Sequence, residues 1–321
     1  MKRLMILALS IVMLTNLTGC GIGKTKDNNK ISIVTTIYPE YDWVRNVVGD
    51  QMDSVEITML LDNGVDLHSY QPTAEDIMKI STCDMFVYVG GESDAWVEDV
   101  LKTSVNKEMK VINLMDSLKG KVKEEEVVEG MQAEEEEEKE EEPEYDEHVW
   151  LSVKNAESLV KIIAETLGEV DSKNAENYAK NAENYQGQLD ALDKKYQEAV
   201  VAGSKKTLLF ADRFPFRYFT DDYKLSYYAA FVGCSAETEA SFETVVFLAK
   251  KVDELQLKTV LTIDGSDKKI AETVVKNTKS KNQSIATLNS MQGVTNEDIE
   301  NGVTYLSVME DNLEVLKQAL K

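Results

Sequence analysis

The sequence predicts an α/β fold in two similar halves with one long helix between them. Short β-branched or apolar runs alternate with helical patterns, as in βαβ units that build a mostly parallel sheet. These runs fall into two groups of four, and an uninterrupted helical stripe separates the groups. The 321 residues are enough for two domains. The predicted strands cover 31–37, 55–61, 85–89, 111–114, 207–211, 227–231, 259–263 and 284–288.

The long helix is indicated by a repeat. The pentapeptide at 174–178 recurs seven residues later at 181–185. One apolar stripe then continues at alternating steps of three and four, through Ala175, Tyr178, Ala182, Tyr185, Leu189, Leu192 and Tyr196. We expect a helix over 171–202, about 45 Å long, with an N-cap at the Asp171-Ser172 pair. A coiled-coil dimer is the alternative, but alanines and tyrosines favour packing across the backs of two domains.

The domains predicted from these elements are an N-terminal α/β lobe at 30–170, the linking helix at 171–202 and a C-terminal α/β lobe at 203–321. A final amphipathic helix is expected at 305–320. Acidic residues number 58 against 35 basic ones, a net charge of −23. Such a surface repels phosphate, so nucleic acid and anionic lipid headgroups are poor partners, whereas cations are plausible ones.

The N-terminus has the pattern of a processed leader. Lys2 and Arg3 precede an apolar run at 4–14 that is too short to span a bilayer. The run ends in Leu-Thr-Gly-Cys20, which resembles the bacterial lipobox, in which the cysteine becomes lipidated. We therefore expect a lipoprotein signal peptide at 1–20 and a flexible tether at 21–29, although a secretory leader could also contain a cysteine. Cys83 and Cys234 are then expected to be buried free thiols, with a disulfide bridge as the alternative.

An acidic loop is expected at 122–147. Residues 124–147 include fifteen acidic side chains and one lysine, and so dense a block of like charge should be solvated rather than packed. A disordered insertion is the favoured interpretation. A weak cation collector beside a metal site is the alternative.

The only two histidines of the chain are the strongest functional signal. His68 follows a predicted strand, and His148 lies at the end of the acidic loop. Open α/β sheets bind ligands in loops that follow strands, and neutral imidazole is a common ligand of transition metals. The two residues therefore favour a shared metal site, against the alternative of two structural histidines.

Three segments resemble the zinc- and manganese-type substrate-binding lipoproteins of bacterial ABC importers, the ZnuA-like group. They are Gly-x-Asp-x-His-x-Tyr-x-Pro-Thr around His68, Asp-Glu-His-x-Trp-Leu around His148, and the stretch at 305–313. The resemblance covers nearly the whole chain after the leader. It implies two Rossmann-like lobes joined by one long rigid helix, a metal site in the interlobe cleft, and metal-ligand roles for both histidines.

The resemblance places the remaining ligands in the second lobe, where this chain departs from the pattern. In the segment 210–219 the third ligand falls on Arg213, and a guanidinium has no lone pair to offer. Asp212 could bind if the loop turns by one residue, or Arg213 could orient a carboxylate that binds. The fourth ligand falls on Asp264, for which a helix N-cap is the alternative. Glu239 matches a recurrent acidic position and is a further candidate.

The implied protein is a monomeric receptor on the extracellular face of the membrane. It would be anchored at Cys20, capture a divalent metal and pass it to an ABC permease, with no catalytic residues. Two imidazoles with one or two carboxylates suit zinc first and manganese second. Binding should weaken as the pH falls through the histidine pKa near about 6.5. A manganese receptor, a surface adhesin or scaffold, and a secreted zinc hydrolase are the alternatives, and the hydrolase lacks a His-Glu-x-x-His motif.

Overall fold

This computed structural model describes residues 30–132, 144–235 and 239–321. The leader and the middle of the acidic loop, for which predictions were made above, lie outside the described residues. The first sheet contains β1 (Ile31–Thr35), β2 (Val55–Met59), β3 (Met85–Tyr88) and β4 (Lys110–Asn113). All of its pairs are parallel, in the order β2-β1-β3-β4. Parallel sheets are covered on both faces, which explains why apolar residues predominate in these strands.

The second sheet repeats this topology. It contains β5 (Thr207–Phe214), β6 (Ser226–Val232), β7 (Thr259–Ile263) and β8 (Ser284–Leu288). The strands are again parallel, in the order β6-β5-β7-β8, and the register of β5 shifts between Phe210 and Arg213. The two predicted α/β halves are therefore confirmed. We call the part built on the first sheet the first lobe and the part built on the second sheet the second lobe.

Helices cover the sheets and connect them. Several begin at a Ser or Thr whose side chain accepts a hydrogen bond from the first helical turn, as at Thr73, Ser241 and Thr304. None of the helices in the described part of the chain has the length and apolar character needed to cross a membrane. The helices are α1 (Tyr38–Val48), α2 (Ala74–Thr82), α3 (Val97–Thr103), α4 (Leu114–Ser117), α5 (Val153–Val170), α6 (Ala175–Ala202), α7 (Arg217–Tyr223), α8 (Phe242–Leu255), α9 (Lys269–Asn277), α10 (Asn296–Glu300) and α11 (Tyr305–Ala319).

The long helix α6 packs against α5, α1 and α11, and so contacts both lobes. Its predicted stripe is the buried face, and the tyrosine hydroxyls on it find partners: Tyr185 donates to Asp42 and Tyr196 to the carbonyl of Met309. The predicted N-cap at Asp171 is wrong. The helix begins at Ala175 with Asn174 as its N-cap, and the Asp171 carboxylate accepts bonds from Asn174 and from the hydroxyl of Tyr178.

The acidic loop is anchored at its ends. The expectation that the whole loop is solvated is therefore wrong for these ends. Glu124 pairs with Tyr145 in an antiparallel bridge, and Asp146 and Glu147 are buried. We call residues 124–132 the acidic strap, because they reach the second lobe. There Glu126 pairs with Arg217 and Glu129 with Lys251, while the amide of Gln132 donates to Ala230 on the edge strand β6. Basic partners and an unpaired strand edge thus bind part of a segment whose composition predicts solvent exposure.

Candidate metal centre

His68 is held in place by the loop that follows β2. A short 3₁₀ helix, Leu67–Ser69, begins at Asp66, whose carboxylate accepts a bond of 3.0 Å from the amide of His68. Leu67 is buried beneath the turn, and this burial turns the adjacent His68 side chain toward the cleft between the lobes. The Gly-x-Asp-x-His spacing therefore encodes a capped turn that presents an imidazole.

His148 is fully buried and is oriented by its own segment. Oδ1 of Asp146 accepts hydrogen bonds from the amide of His148, at 2.8 Å, and from its Nδ1, at 3.0 Å. The chain then enters a 3₁₀ helix, Val149–Leu151, in which the indole of Trp150 donates to the carbonyl of Ser290 in the second lobe. Both the ring and the backbone of His148 are thus fixed.

The two imidazoles face each other, with 3.2 Å between their Nε2 atoms. A carboxylate only accepts, so Asp146 places the proton of a neutral His148 ring on Nδ1 and leaves a lone pair on Nε2. That lone pair points at Nε2 of His68, and only a proton or a cation between the two nitrogens satisfies both. In a tetrahedral site with Zn–N bonds of about 2.0–2.1 Å, two nitrogen ligands are about 3.3 Å apart. The observed spacing fits such a metal ion.

Ser93 and Glu147 contact the other side of the His68 ring. Nδ1 of His68 lies 2.8 Å from the Ser93 hydroxyl and 3.6 Å from Oε2 of Glu147. The other carboxylate oxygen of Glu147 accepts the amide of Ser93 at 2.9 Å. No hydrogen-bond donor reaches Oε2 of Glu147 within the described ranges, and burial raises the pKa of this carboxyl. The arrangement can hold the His68 proton on Nδ1 and direct Nε2 at a metal ion.

The electrostatics keep His68 neutral. Burial, followed by the proximity of His148, lowers its pKa to about 3. At neutral pH the His68 ring is therefore unprotonated, and the expected loss of metal binding as the pH falls stays a prediction. Neutral imidazole is the form that binds metals.

A thiol joins the pair of histidines. Among the described residues, His68, His148 and Cys234 form a group whose donor atoms all lie within 4.8 Å of one another. Cys234 follows the edge strand β6 and is a free thiol, as predicted, with no disulfide bridge to Cys83. Only Cys83 is fully buried; Cys234 is half-buried. Burial, and then the nearby Glu125, raises the pKa of the Cys234 thiol, so that it carries its proton in this state.

Arg213 connects the second lobe to the loop of His68. Its guanidinium contacts Oδ2 of Asp66 at 2.8 Å, and Oδ1 of the same carboxylate caps the turn of His68. Although burial opposes it, the Arg213 charge lowers the pKa of Asp66. Asp212 lies in the same cleft, and its carboxylate accepts the amides of Arg213 and Ile263. Arg213 thus pairs across the cleft at the position where the resemblance expected a ligand.

The two acidic residues predicted as ligands lie outside the three-residue group. Asp264 lines a cleft of about 500 Å³ that also includes Asp66 and Arg213, and its oxygens accept the amides of Ser290, at 2.5 Å, and Gly293, at 3.3 Å. Glu239 is exposed, and its charge acts on Lys269. The structure therefore brings the two histidines together, and the ligand roles of all four residues stay predictions.

Sequence reasoning missed four residues that shape this centre: Ser93, Asp146, Glu147 and Cys234. The acidic pair was available in the Asp-Glu-His triplet, where an acid two positions before a histidine can orient its ring. High charge density around that triplet predicted solvent exposure instead. Ser93 and Cys234 carry no local signal, because they reach the histidines only through tertiary contacts.

Two parallel-sheet lobes, a long helix that contacts both, and facing imidazoles in the cleft define a two-lobed binding protein with a centre suited to a metal ion. The chain belongs to the ZnuA family, since the family described as "Zinc-uptake complex component A periplasmic" matches residues 33–319.

Named relatives agree with this membership. The zinc-binding lipoprotein AdcA of Streptococcus pneumoniae is 33% identical over 99% of this chain, and the match spans 61% of that protein. The high-affinity zinc uptake system protein ZnuA of Bacillus subtilis is 29% identical, with 94% of this chain and 92% of that protein covered. The crystal structure of the zinc-bound ZnuA-like domain of pneumococcal AdcA superposes with a TM-score of 0.71, at 30% identity, over 91% of this chain and 99% of that one.

Proposed function

We propose that this protein is an extracytoplasmic receptor that captures a divalent metal ion between its lobes and delivers it to the permease of an ABC importer. The observation that carries the proposal is the pair of Nε2 atoms 3.2 Å apart, with one ring fixed by Asp146 and the other flanked by Ser93 and Glu147. The arrangement offers ligands to an ion, and the zinc-uptake family to which the chain belongs supports binding and release rather than catalysis.

Zinc is the proposed metal, with manganese as the alternative. Nitrogen donors favour zinc, whereas manganese prefers a larger site rich in oxygen. The names of the relatives, a zinc-binding lipoprotein and a zinc uptake protein, support the same choice. The proposed ligands are His68 and His148 from the first lobe and Asp264 from the second. Glu239 remains an alternative that would require its loop to move from its present place near Lys269.

Metal analysis of the purified protein, followed by competitive zinc and manganese titrations, tests the proposal. We expect tight zinc binding that the double variant His68→Ala/His148→Ala loses, while its metal-free thermal unfolding shows that it still folds. A double variant that supports growth in zinc-depleted medium as well as the unaltered protein would instead favour an adhesin or scaffold.

We also propose that Cys20 anchors the protein to the outer face of the cell membrane. The charged start, the short apolar core and the Leu-Thr-Gly-Cys sequence support this, as does the lipoprotein name of the pneumococcal relative. Cys20→Ala should shift the protein from the membrane fraction to the medium. Retention in the membrane fraction would contradict the anchor and leave the metal proposal intact.

A further inference from the structure

The neighbourhood of Cys234 is built tightly around the second histidine. A Cβ placed on Gly233 would lie 2.9 Å from Cε1 of His148, so the backbone before Cys234 lies against that ring. Glu125 of the acidic strap accepts the amide of Cys234 at 3.1 Å. The strap therefore holds the end of β6, and with it the thiol, beside the imidazole pair.

The second lobe has no metal-binding side chain at the position where the family resemblance places the third ligand. Arg213 occupies the position of the expected third ligand, and its guanidinium is engaged with Asp66 across the cleft. Cys234 belongs to the same lobe, and its sulfur lies within 4.8 Å of a ring nitrogen of each histidine. The thiol is thus a donor from the second lobe that already lies beside the pair.

We propose that Cys234 is a metal ligand, so that a thiolate joins the two imidazoles, with Asp264 as the further proposed ligand, and the site favours the softer divalent metals. The inference rests on the proposed metal-binding function. With Zn–S near 2.3 Å and Zn–N near 2.0–2.1 Å, a ligating sulfur lies about 3.6 Å from each nitrogen. Since the donor atoms of the three residues lie within 4.8 Å of one another, the sulfur needs to approach by about 1.2 Å at most. As the sulfur–metal bond forms, the S–H bond breaks and the proton passes to solvent.

A thiolate ligand shifts the metal selectivity of the site toward zinc and away from manganese. Thiolates favour zinc and other soft metals, whereas manganese favours carboxylate and water oxygen. The same centre with a carboxylate in place of the sulfur should therefore lose discrimination against manganese. This separates the inference from the proposed function, which requires only that a divalent metal bind.

Cobalt substitution of the purified full-length protein provides the test. Cobalt bound through sulfur gives a near-ultraviolet charge-transfer band, and we expect that band in the unaltered protein and in the matched control Cys83→Ala. We expect Cys234→Ser to lose the band and to bind zinc at least about 10-fold more weakly, and Cys234→Asp to narrow the ratio of zinc to manganese affinity. Bound zinc should also protect Cys234 of the folded protein from alkylation, whereas Cys234 of the denatured protein should be alkylated. Peptide mapping measures both.

The outcomes separate the two proposals. Cobalt that binds without a sulfur band overturns the role of Cys234 and leaves the metal-binding function standing. The same holds if zinc affinity is unchanged in Cys234→Ser. Failure of the unaltered protein to bind zinc or cobalt would overturn both. Because the spectrum is recorded first on the unaltered protein, a variant that fails to fold does not remove the test.

Discussion

Asp146 gives the sharpest test of how the centre is organised. Its carboxylate is 2% exposed, and one oxygen accepts both the amide and Nδ1–H of His148, at 2.8 and 3.0 Å. Asp146→Asn keeps an acceptor oxygen of the same size but removes the charge that makes the ring more basic. Partners of this kind account for about 10- to 100-fold in metal affinity. We therefore expect zinc binding to weaken by about 1.4–2.7 kcal/mol.

The assay is a competitive titration against a chromophoric zinc chelator, with thermal unfolding of the metal-free variant as the check on folding. Asp171→Asn is the matched control, because that carboxylate also accepts two side-chain bonds, from Asn174 and Tyr178, but lies at the start of α6. In a His148→Ala background the Asp146 change should have no further effect on affinity. A folded Asp146→Asn protein with zinc affinity within about twofold of the original would refute the reasoning.

Three further predictions concern the second lobe and the core. Gly233→Ala places a methyl group 2.9 Å from His148 and should weaken zinc binding at least about tenfold, whereas Gly187→Ala, in open space on α6, should leave affinity unchanged and raise stability by about 1 kcal/mol. Arg213→Gln removes a half-buried ion pair between the lobes and should speed zinc release about two- to fivefold in stopped-flow chelation, less at high salt. Burial raises the pKa of Asp42 to about 6, so the folded protein holds this proton more tightly than the unfolded chain and loses stability as the pH rises from 3.8 to about 6. Asp42→Asn should remove that loss, with a gain of up to about 3 kcal/mol at pH 7 that vanishes below pH 4 in denaturant titrations, and an unchanged pH profile would contradict it.

The strands of both sheets were predicted well from the sequence. Parallel strands that are buried on both faces appear in a sequence as short apolar runs, and few other structures produce such runs. The predicted strand at 259–263 matches β7, and the one at 284–288 matches β8. β5 runs to Phe214, three residues beyond its predicted end, and the extension includes polar Asp212 and Arg213. The polar residues of this extension interrupt the apolar pattern from which the strand was predicted. Its pairing with β6 resumes at Arg213, after the shift in register that follows Phe210.

The sequence predicted the two histidines of the candidate centre but not the residues that contact them. The two histidines stood out because the chain has no others, and each lies in a motif that resembles a known family. Their partners did not stand out, because Cys234 is 86 positions beyond His148 and Ser93 is 25 positions beyond His68. Composition also predicted the wrong surroundings for two glutamates. Glu125 and Glu147 belong to a segment that was expected to be solvated, but Glu125 accepts the amide of Cys234 and Glu147 accepts the amide of Ser93.

The bridge between Glu124 and Tyr145 has a consequence for how this family member can diverge. Both ends of the glutamate-rich run are already fixed, by this bridge and by Gln132 on the edge of β6. The described residues on either side of the run are held by contacts of their own, so the placement of the histidine pair does not depend on the number of glutamates between them.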